Sequence, residues 1–186
     1  MPGRTALLLM DLQPLTVPAF GGDDALLARL AGAAAAARAA GVDVIHIRIA
    51  FRAGYPDVAA SNKIFSAVTG TMDMTESNAD TAVHPSLAPD PADLVVTKRR
   101  VSAFAGSDLD VVLRAIGAQH LVLCGLSTSG VVLSTVRAAA DRDYALTVLR
   151  DACADADAEV HRVLTEKVFP RQAEVLDAGA WAASLR

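Results

Sequence analysis

The stretch Leu121-Val122-Leu123-Cys124-Gly125-Leu126-Ser127-Thr128-Ser129-Gly130-Val131-Val132-Leu133-Ser134-Thr135-Val136-Arg137 decides how this chain is read. Four apolar residues end in a glycine, a small polar cluster follows, and an apolar-periodic segment then runs into Ala138–Ala140. That order predicts a buried strand over Leu121–Cys124, a tight turn, and a helix over Gly130–Asp141 with Thr128 or Ser129 as its N-cap. A turn of this kind aims the first free N–H groups of the helix, and the positive end of its dipole, above the sheet. A site is expected there.

The same grammar repeats on either side of the stretch. Ala6–Met10 reads as a first strand, ended by Asp11-Leu12-Gln13-Pro14, and Asp24–Ala40 as a helix stopped by Gly41. Val42–Ile49 alternates and is β-branched, a second strand. From Phe51 to Pro91 prolines and glycines interrupt the chain; one helix is expected near Val58–Val68, within loops of the kind that cover a pocket. Leu94–Lys98 is a third strand and Asp108–Ile116 a helix closed by Gly117. Ala145–Leu149 is a fifth strand, a helix near Ala156–Val168 stops at Pro170, and Ala173–Leu176 is a short sixth strand. Strands alternating with helices imply right-handed crossovers and a mostly parallel sheet covered on both faces, a three-layer α/β/α sandwich. In such sheets ligands bind at the carboxyl ends of the strands, where Asp11, Lys98 and the Gly125–Val131 turn all fall.

Composition narrows the class. The 186 residues are 53% hydrophobic and 20% charged, which suits one well-packed domain over residues 1–186 and argues against disorder. No apolar run approaches the ~20 residues of a membrane helix. The opening Met-Pro-Gly-Arg runs directly into Leu7–Met10, a run that reads as a strand rather than a signal peptide. A net charge of −4 with scattered basic residues argues against a nucleic-acid partner. Cys124 and Cys153 form neither a disulfide framework nor a zinc spacing, so a cytoplasmic setting is expected.

From position alone, Asp11 reads either as a turn carboxylate or as a site residue, and Lys98 either as a surface lysine beside Arg99 and Arg100 or as its partner. Arg48 and Arg52, near the end of the second strand, carry guanidinium forks that fit a substrate carboxylate, or else are solvated. Tyr55 and Phe104 read as pocket walls or as core. His46 lies within a strand and reads as a core histidine; His84, His120 and His161 are scattered, so no metal site is expected.

The central stretch resembles the nucleophile turn of the isochorismatase-like (cysteine hydrolase) superfamily, Gly-aliphatic-x-Thr-x-x-Cys-Val-x-x-Thr-x-Arg. Gly125, Leu126, Thr128, Val132, Thr135 and Arg137 fit in register, but the cysteine position falls on Val131. Asp11-x-Gln13 resembles the first motif of that superfamily, Lys98-Arg-Arg-Val-Ser-Ala-Phe104-x-Gly106 its lysine motif, and Arg150–His161 its next strand and helix. The resemblance implies an Asp11–Lys98 pair, a cis peptide at Leu126–Ser127, oxyanion donors at the Ser127 and Val131 amides, Gln13 near the substrate, and a homo-oligomer. It implies no cofactor. In full-triad members cysteine attacks an amide carbonyl, and a valine has no lone pair to do so. Ser129, Ser134 and Cys124 are conceivable substitutes without an evident base. Some members of the superfamily lack the cysteine and still act: isochorismatases cleave a vinyl ether, whose essential step is a protonation that an aspartate can supply. Three readings therefore stand open: a hydrolase of a small anionic metabolite using Asp11 and Lys98, an inactive binding protein on the same fold, and an amidase with a substitute nucleophile. For the first, the pKa of Asp11 must rise; a dry pocket raises it, while Lys98 lowers it.

Overall fold

The computed structural model describes residues 3–185; Met1, Pro2 and Arg186, at the ends of the domain expected over residues 1–186, lie outside them. Strand β1 (Arg4–Met10) is buried on both faces from Ala6 onward, because five consecutive apolar side chains leave no face for water. It pairs in parallel with β2 (Asp43–Ile49) on one side and with β4 (Ala118–Leu126) on the other. With β3 (Leu94–Lys98), β5 (Ala145–Ala154) and β6 (Glu174–Leu176), these form one six-stranded parallel sheet in the order β3-β2-β1-β4-β5-β6. The chain builds outward from β1 in one direction and then returns to build in the other. The switch point therefore falls between the carboxyl ends of β1 and β4, which carry Asp11 and the Gly125 turn.

Right-handed crossovers put the helices of the two halves on opposite faces of the sheet, giving the three layers expected. Helix α1 (Asp24–Ala39) is capped by Asp23, whose carboxylate accepts from the Leu26 amide at 2.7 Å. Its Leu26, Leu27, Leu30, Ala33, Ala34 and Ala37 recur at helical spacing and face the core. It shares its layer with α6 (Ala178–Ser184), which packs against α1 and β5. On the other face lie α3 (Leu109–Ile116), capped at its end by left-handed Gly117, and α4 (Leu133–Ala140).

Several boundaries differ from the sequence reading. Strand β5 runs on through Arg150 and Asp151 to Ala154, because a register shift in its pairing with β4 lets Ala152 and Cys153 return to the core. The helix expected near Val58–Val68 is the shorter α2 (Lys63–Thr69), started by Asn62, which accepts from the Phe65 amide at 3.1 Å. The helix expected near Ala156–Val168 is α5 (Ala158–Val163) followed by a π-helical turn, Leu164–Val168. Helix α6 has no counterpart in the sequence reading.

Residues 52–74 form an excursion over the carboxyl end of β2. Its neck is closed where Phe51 N donates to Met74 O and Glu76 N donates to Phe51 O, both at 2.9 Å. Inside, Phe51, Phe65, Ile49 and Met74 form an apolar cluster of their own, with the Phe51 and Phe65 rings edge to face at 5.2 Å.

Candidate active site

Asp11 is the first residue after β1. Its φ of 54° is left-handed, a conformation that aspartate tolerates better than most side chains, and its N–H donates to Ile47 O at 2.8 Å. Lys98 closes β3 and is 1% exposed. The sheet order sets β2 between them, and the pairings of Met10 with Ile47 and of Ile49 with Lys98 put both residues at one level. The lysine stem spans the end of β2, and its Nζ lies 2.8 Å from Asp11 Oδ2. Nζ also donates to Arg100 O at 2.9 Å. The other carboxylate oxygen, Asp11 Oδ1, is buried with no hydrogen-bond partner among the described residues. Burial pushes the Asp11 carboxyl above its ordinary range, opposed by the charge and hydrogen bond of Lys98.

The turn after β4 is built by backbone requirements. Gly125 has φ 133°, and a Cβ there would stand 2.0 Å from Met10 O, so β1 and β4 can approach only over glycine. The Leu126–Ser127 peptide is cis, as the resemblance implies. The N-cap is Ser127 rather than Thr128 or Ser129: its Oγ accepts from Gly130 N at 3.1 Å, and its carbonyl accepts from Val132 N at 3.2 Å. The first turn, Thr128–Val132, is π-helical, and α4 proper starts only at Leu133.

Thr128 and Ser129 bond to the element that follows β5 instead. Thr128 Oγ1 and His161 Nδ1 are 2.8 Å apart, and the Ser129 amide and hydroxyl both donate to Asp155 Oδ2 at 2.7 Å. Sequence reasoning missed these two tethers. Asp155 and His161 follow β5 with no spacing that ties them to residues 128 and 129; only the alignment of the segment with the superfamily's next strand and helix hinted at them. Thr135 Oγ1 on α4 accepts from Ala103 N at 3.0 Å, which ties the loop after Lys98 to the same turn.

The remaining candidates separate. Val131 is buried on the turn. Gln13 is buried, but its Nε2 donates to Ile49 O at 2.9 Å and Thr81 O at 2.7 Å, and its Oε1 accepts from Ile49 N at 3.0 Å. The amide is spent on pinning backbone, which corrects its reading as a substrate contact. Phe104 is likewise no wall of the Asp11 site: its ring stacks on Tyr144 at 6.3 Å under the Arg142 guanidinium, and Tyr144 directly precedes β5, at the amino end of the strand rather than the carboxyl end where Asp11 lies. Arg48 donates to Thr97 Oγ1 at 3.0 Å and Thr81 O at 3.2 Å. Tyr55 belongs to the excursion, its hydroxyl accepting from Met74 N at 3.0 Å. Arg52 is largely exposed and touches Asp57.

Substitute nucleophiles fare poorly. Cys124 is fully buried, and burial pushes its thiol well above the ordinary value. The Ser129 hydroxyl is held by Asp155. His46 is a core histidine in β2, 3.2 Å from Asp93 Oδ2. Among the described residues, no three His, Cys, Asp or Glu side chains are grouped to hold a metal ion.

The family described as Isochorismatase domain matches residues 5–180. The isochorismatase family protein YecD of Escherichia coli O157:H7 is 34% identical over 92% of this chain and 90% of its own length. The ureidoacrylate amidohydrolase RutB of Methylobacterium radiotolerans is 30% identical over 99% of this chain and 80% of its own. Among solved structures, a cysteine hydrolase from Pseudomonas syringae pv. phaseolicola superposes with TM-score 0.88 at 26% identity, covering 98% of this chain and 92% of that one.

Proposed function

This chain belongs to the isochorismatase family of hydrolases, and we propose that it hydrolyses a small anionic metabolite by proton transfer from Asp11, without a covalent enzyme intermediate. The observation that carries this reading is the state of one carboxyl group. Asp11 is buried, Lys98 holds its Oδ2, and its Oδ1 has no partner among the described residues. Burial raises the pKa of this carboxyl against the pull of Lys98, and Oδ1, the oxygen with no partner, is the one placed to carry a proton and give it away.

Vinyl-ether cleavage fits this donor best. Oδ1–H protonates the terminal enol carbon, and the electron pair of the C=C bond forms the new C–H bond. The resulting oxocarbenium ion takes up water at the ether carbon, and the hemiketal so formed breaks its C–O bond to give a carbonyl compound and an alcohol. The proton lost by the attacking water restores Asp11. Lys98 fixes the carboxyl and compensates the carboxylate that appears after transfer. The amides of Ser127 and Val131 face the reacting oxygen in this reading. Val131 supplies no nucleophile, so the thioester route is closed, and the covalent amidase chemistry of full-triad relatives goes with it.

The test uses Asp11→Asn, which removes the proton at nearly constant volume. A panel of vinyl-ether carboxylates, including isochorismate, and of ureido amides identifies the substrate on the wild-type protein. On that substrate the variant should lose ~10²–10⁴ in turnover while binding within a few-fold of wild type. Wild-type turnover in the variant removes Asp11 from the chemistry. Tight binding of a panel member by both proteins with turnover by neither makes the chain a binding protein on this fold.

A further inference from the structure

Beside Lys98 the surface opens into a cleft of about 770 Å³ that does not include Asp11. Arg52 and Asp57 line it from the excursion, Thr97, Arg99 and Arg100 from the end of β3, and residues 106–108 close its far side. Three guanidinium groups in one cleft stand out in a chain of net charge −4. Their arrangement is ordered from behind. Asp57 Oδ2 lies 3.1 Å from Arg52 Nη1 and 3.2 Å from Arg99 Nε, and Asp57 O accepts from Arg100 Nη2 at 2.9 Å. Arg99 is further held by Ala50 O and by Glu76. Its fork is spent on the scaffold.

Arg52 is different. Among the described residues its guanidinium makes one contact, through Nη1 to Asp57, and its side chain is 64% exposed. Arg100 uses its two terminal nitrogens on Arg99 O and Asp57 O, which leaves Nε. Asp57 thus tethers Arg52 through its carboxylate and Arg100 through its carbonyl, and N–H groups are left over for a ligand. A fork held in place by a carboxylate loses less freedom on binding a second one. Arg100 also connects the two places, because its carbonyl accepts from Lys98 Nζ while its side chain lines the cleft.

We propose that this cleft is an anion subsite in which Arg52 and Arg100 hold a carboxylate group of the substrate while the bond to be broken lies at Asp11. The Nε and Nη2 edge of Arg52 matches a carboxylate in two parallel hydrogen bonds, Arg100 Nε adds a further donor, and the position beside Lys98 suits a ligand whose charge and reacting bond are separate groups. Assigning the carboxylate to a substrate rests on the hydrolase reading above; the binding itself does not.

The binding is measured without turnover. Malonate and inorganic phosphate are titrated calorimetrically into wild type, Asp11→Asn, Arg52→Gln, Arg52→Lys and Arg100→Gln, with sodium chloride holding ionic strength constant. Wild type and Asp11→Asn should bind malonate alike and more tightly than phosphate. Arg52→Gln and Arg100→Gln should each weaken malonate about tenfold or more, and Arg52→Lys, which keeps charge but not the fork, should fall between. Arg52 is exposed enough for its variants to fold, which circular dichroism checks. No saturable malonate binding, equal binding by Arg52→Gln, tighter binding of phosphate, or loss of binding in Asp11→Asn would each overturn the proposal. Only turnover by Asp11→Asn bears on the hydrolase reading itself.

Discussion

Replacing Val131 by cysteine restores the thiol that the superfamily pattern has at this position, and the structure sets what that thiol should do. The native thiols are the internal standards. Cys153 is 5% exposed and Val131 2%, so the two sites are similarly shielded and ionisation decides the contrast in reactivity. Burial pushes the Cys153 thiol up to about 12. Burial acts in the same direction on a thiol at 131, but the register sets that thiol beside the Lys98 ammonium and at the start of the helix, both of which favour the thiolate, and each pKa unit they recover makes it about tenfold more ionised at pH 7. Iodoacetamide labelling of Val131→Cys across pH, with peptide mapping to assign the site, should therefore show residue 131 reacting at least about tenfold faster than Cys153, and Cys124 slower still. Valine and cysteine are close in volume, so the fold should hold. An introduced thiol that labels no faster than Cys153 would refute the register that puts residue 131 in the site.

Two further outcomes follow from packing and charge. Gly125→Ala forces a Cβ to 2.0 Å from Met10 O at φ 133°, so urea unfolding should show a loss of ~3 kcal/mol or more; a loss under ~1 kcal/mol would mean that β1 and β4 can part without cost. His46, buried beside Asp93 with Arg38 and Asp90 close by, has its pKa lowered chiefly by burial, against the pull of Asp93. The folded state then binds fewer protons than the unfolded one. His46 contributes stability above about pH 6.5 that drains away as pH falls below it towards the folded pKa. Unfolding free energies at pH 7.5 and 5.5 should differ less in His46→Gln than in wild type, and an unchanged difference would assign the dependence elsewhere.

How far the sequence carried the fold and the site depended on where the physics is local. Strand β1 was legible because five buried apolar residues in a row have few other readings, and α1 because its leucines and alanines keep helical spacing up to Gly41. Strand β5 was cut short at Leu149, since Arg150-Asp151 looks like an end; a register shift, which is a property of the pair of strands, carries it on. Helix α6 was missed because seven residues rich in alanine, one of them glycine, gain their stability from packing on α1 and β5 rather than from their own pattern. At the site, Asp11 and Lys98 are 87 positions apart in the numbering, and nothing in their spacing pairs them; the order of motifs did, and the topology supplies the contact. Gln13 differs for a related reason. The resemblance of Asp11-x-Gln13 to a family motif says nothing of the three backbone partners, from residues 49 and 81, that occupy its amide. Thr128 and Ser129 each fit an N-cap chemically, and only the positions of His161 and Asp155 assign them other partners.

Proton transfer at this site turns on the protonation of one carboxyl, which can be measured directly. With aspartate labelled at the carboxyl carbon, ¹³C NMR titration of wild type against Asp11→Asn assigns the Asp11 resonance and gives its pKa; Lys98→Met then removes the opposing charge. A proton donor requires Asp11 to titrate clearly above the ~3.9 of a free aspartate, and higher again in Lys98→Met. A wild-type value below that reference, or no movement when Lys98 is replaced, would contradict the central claim.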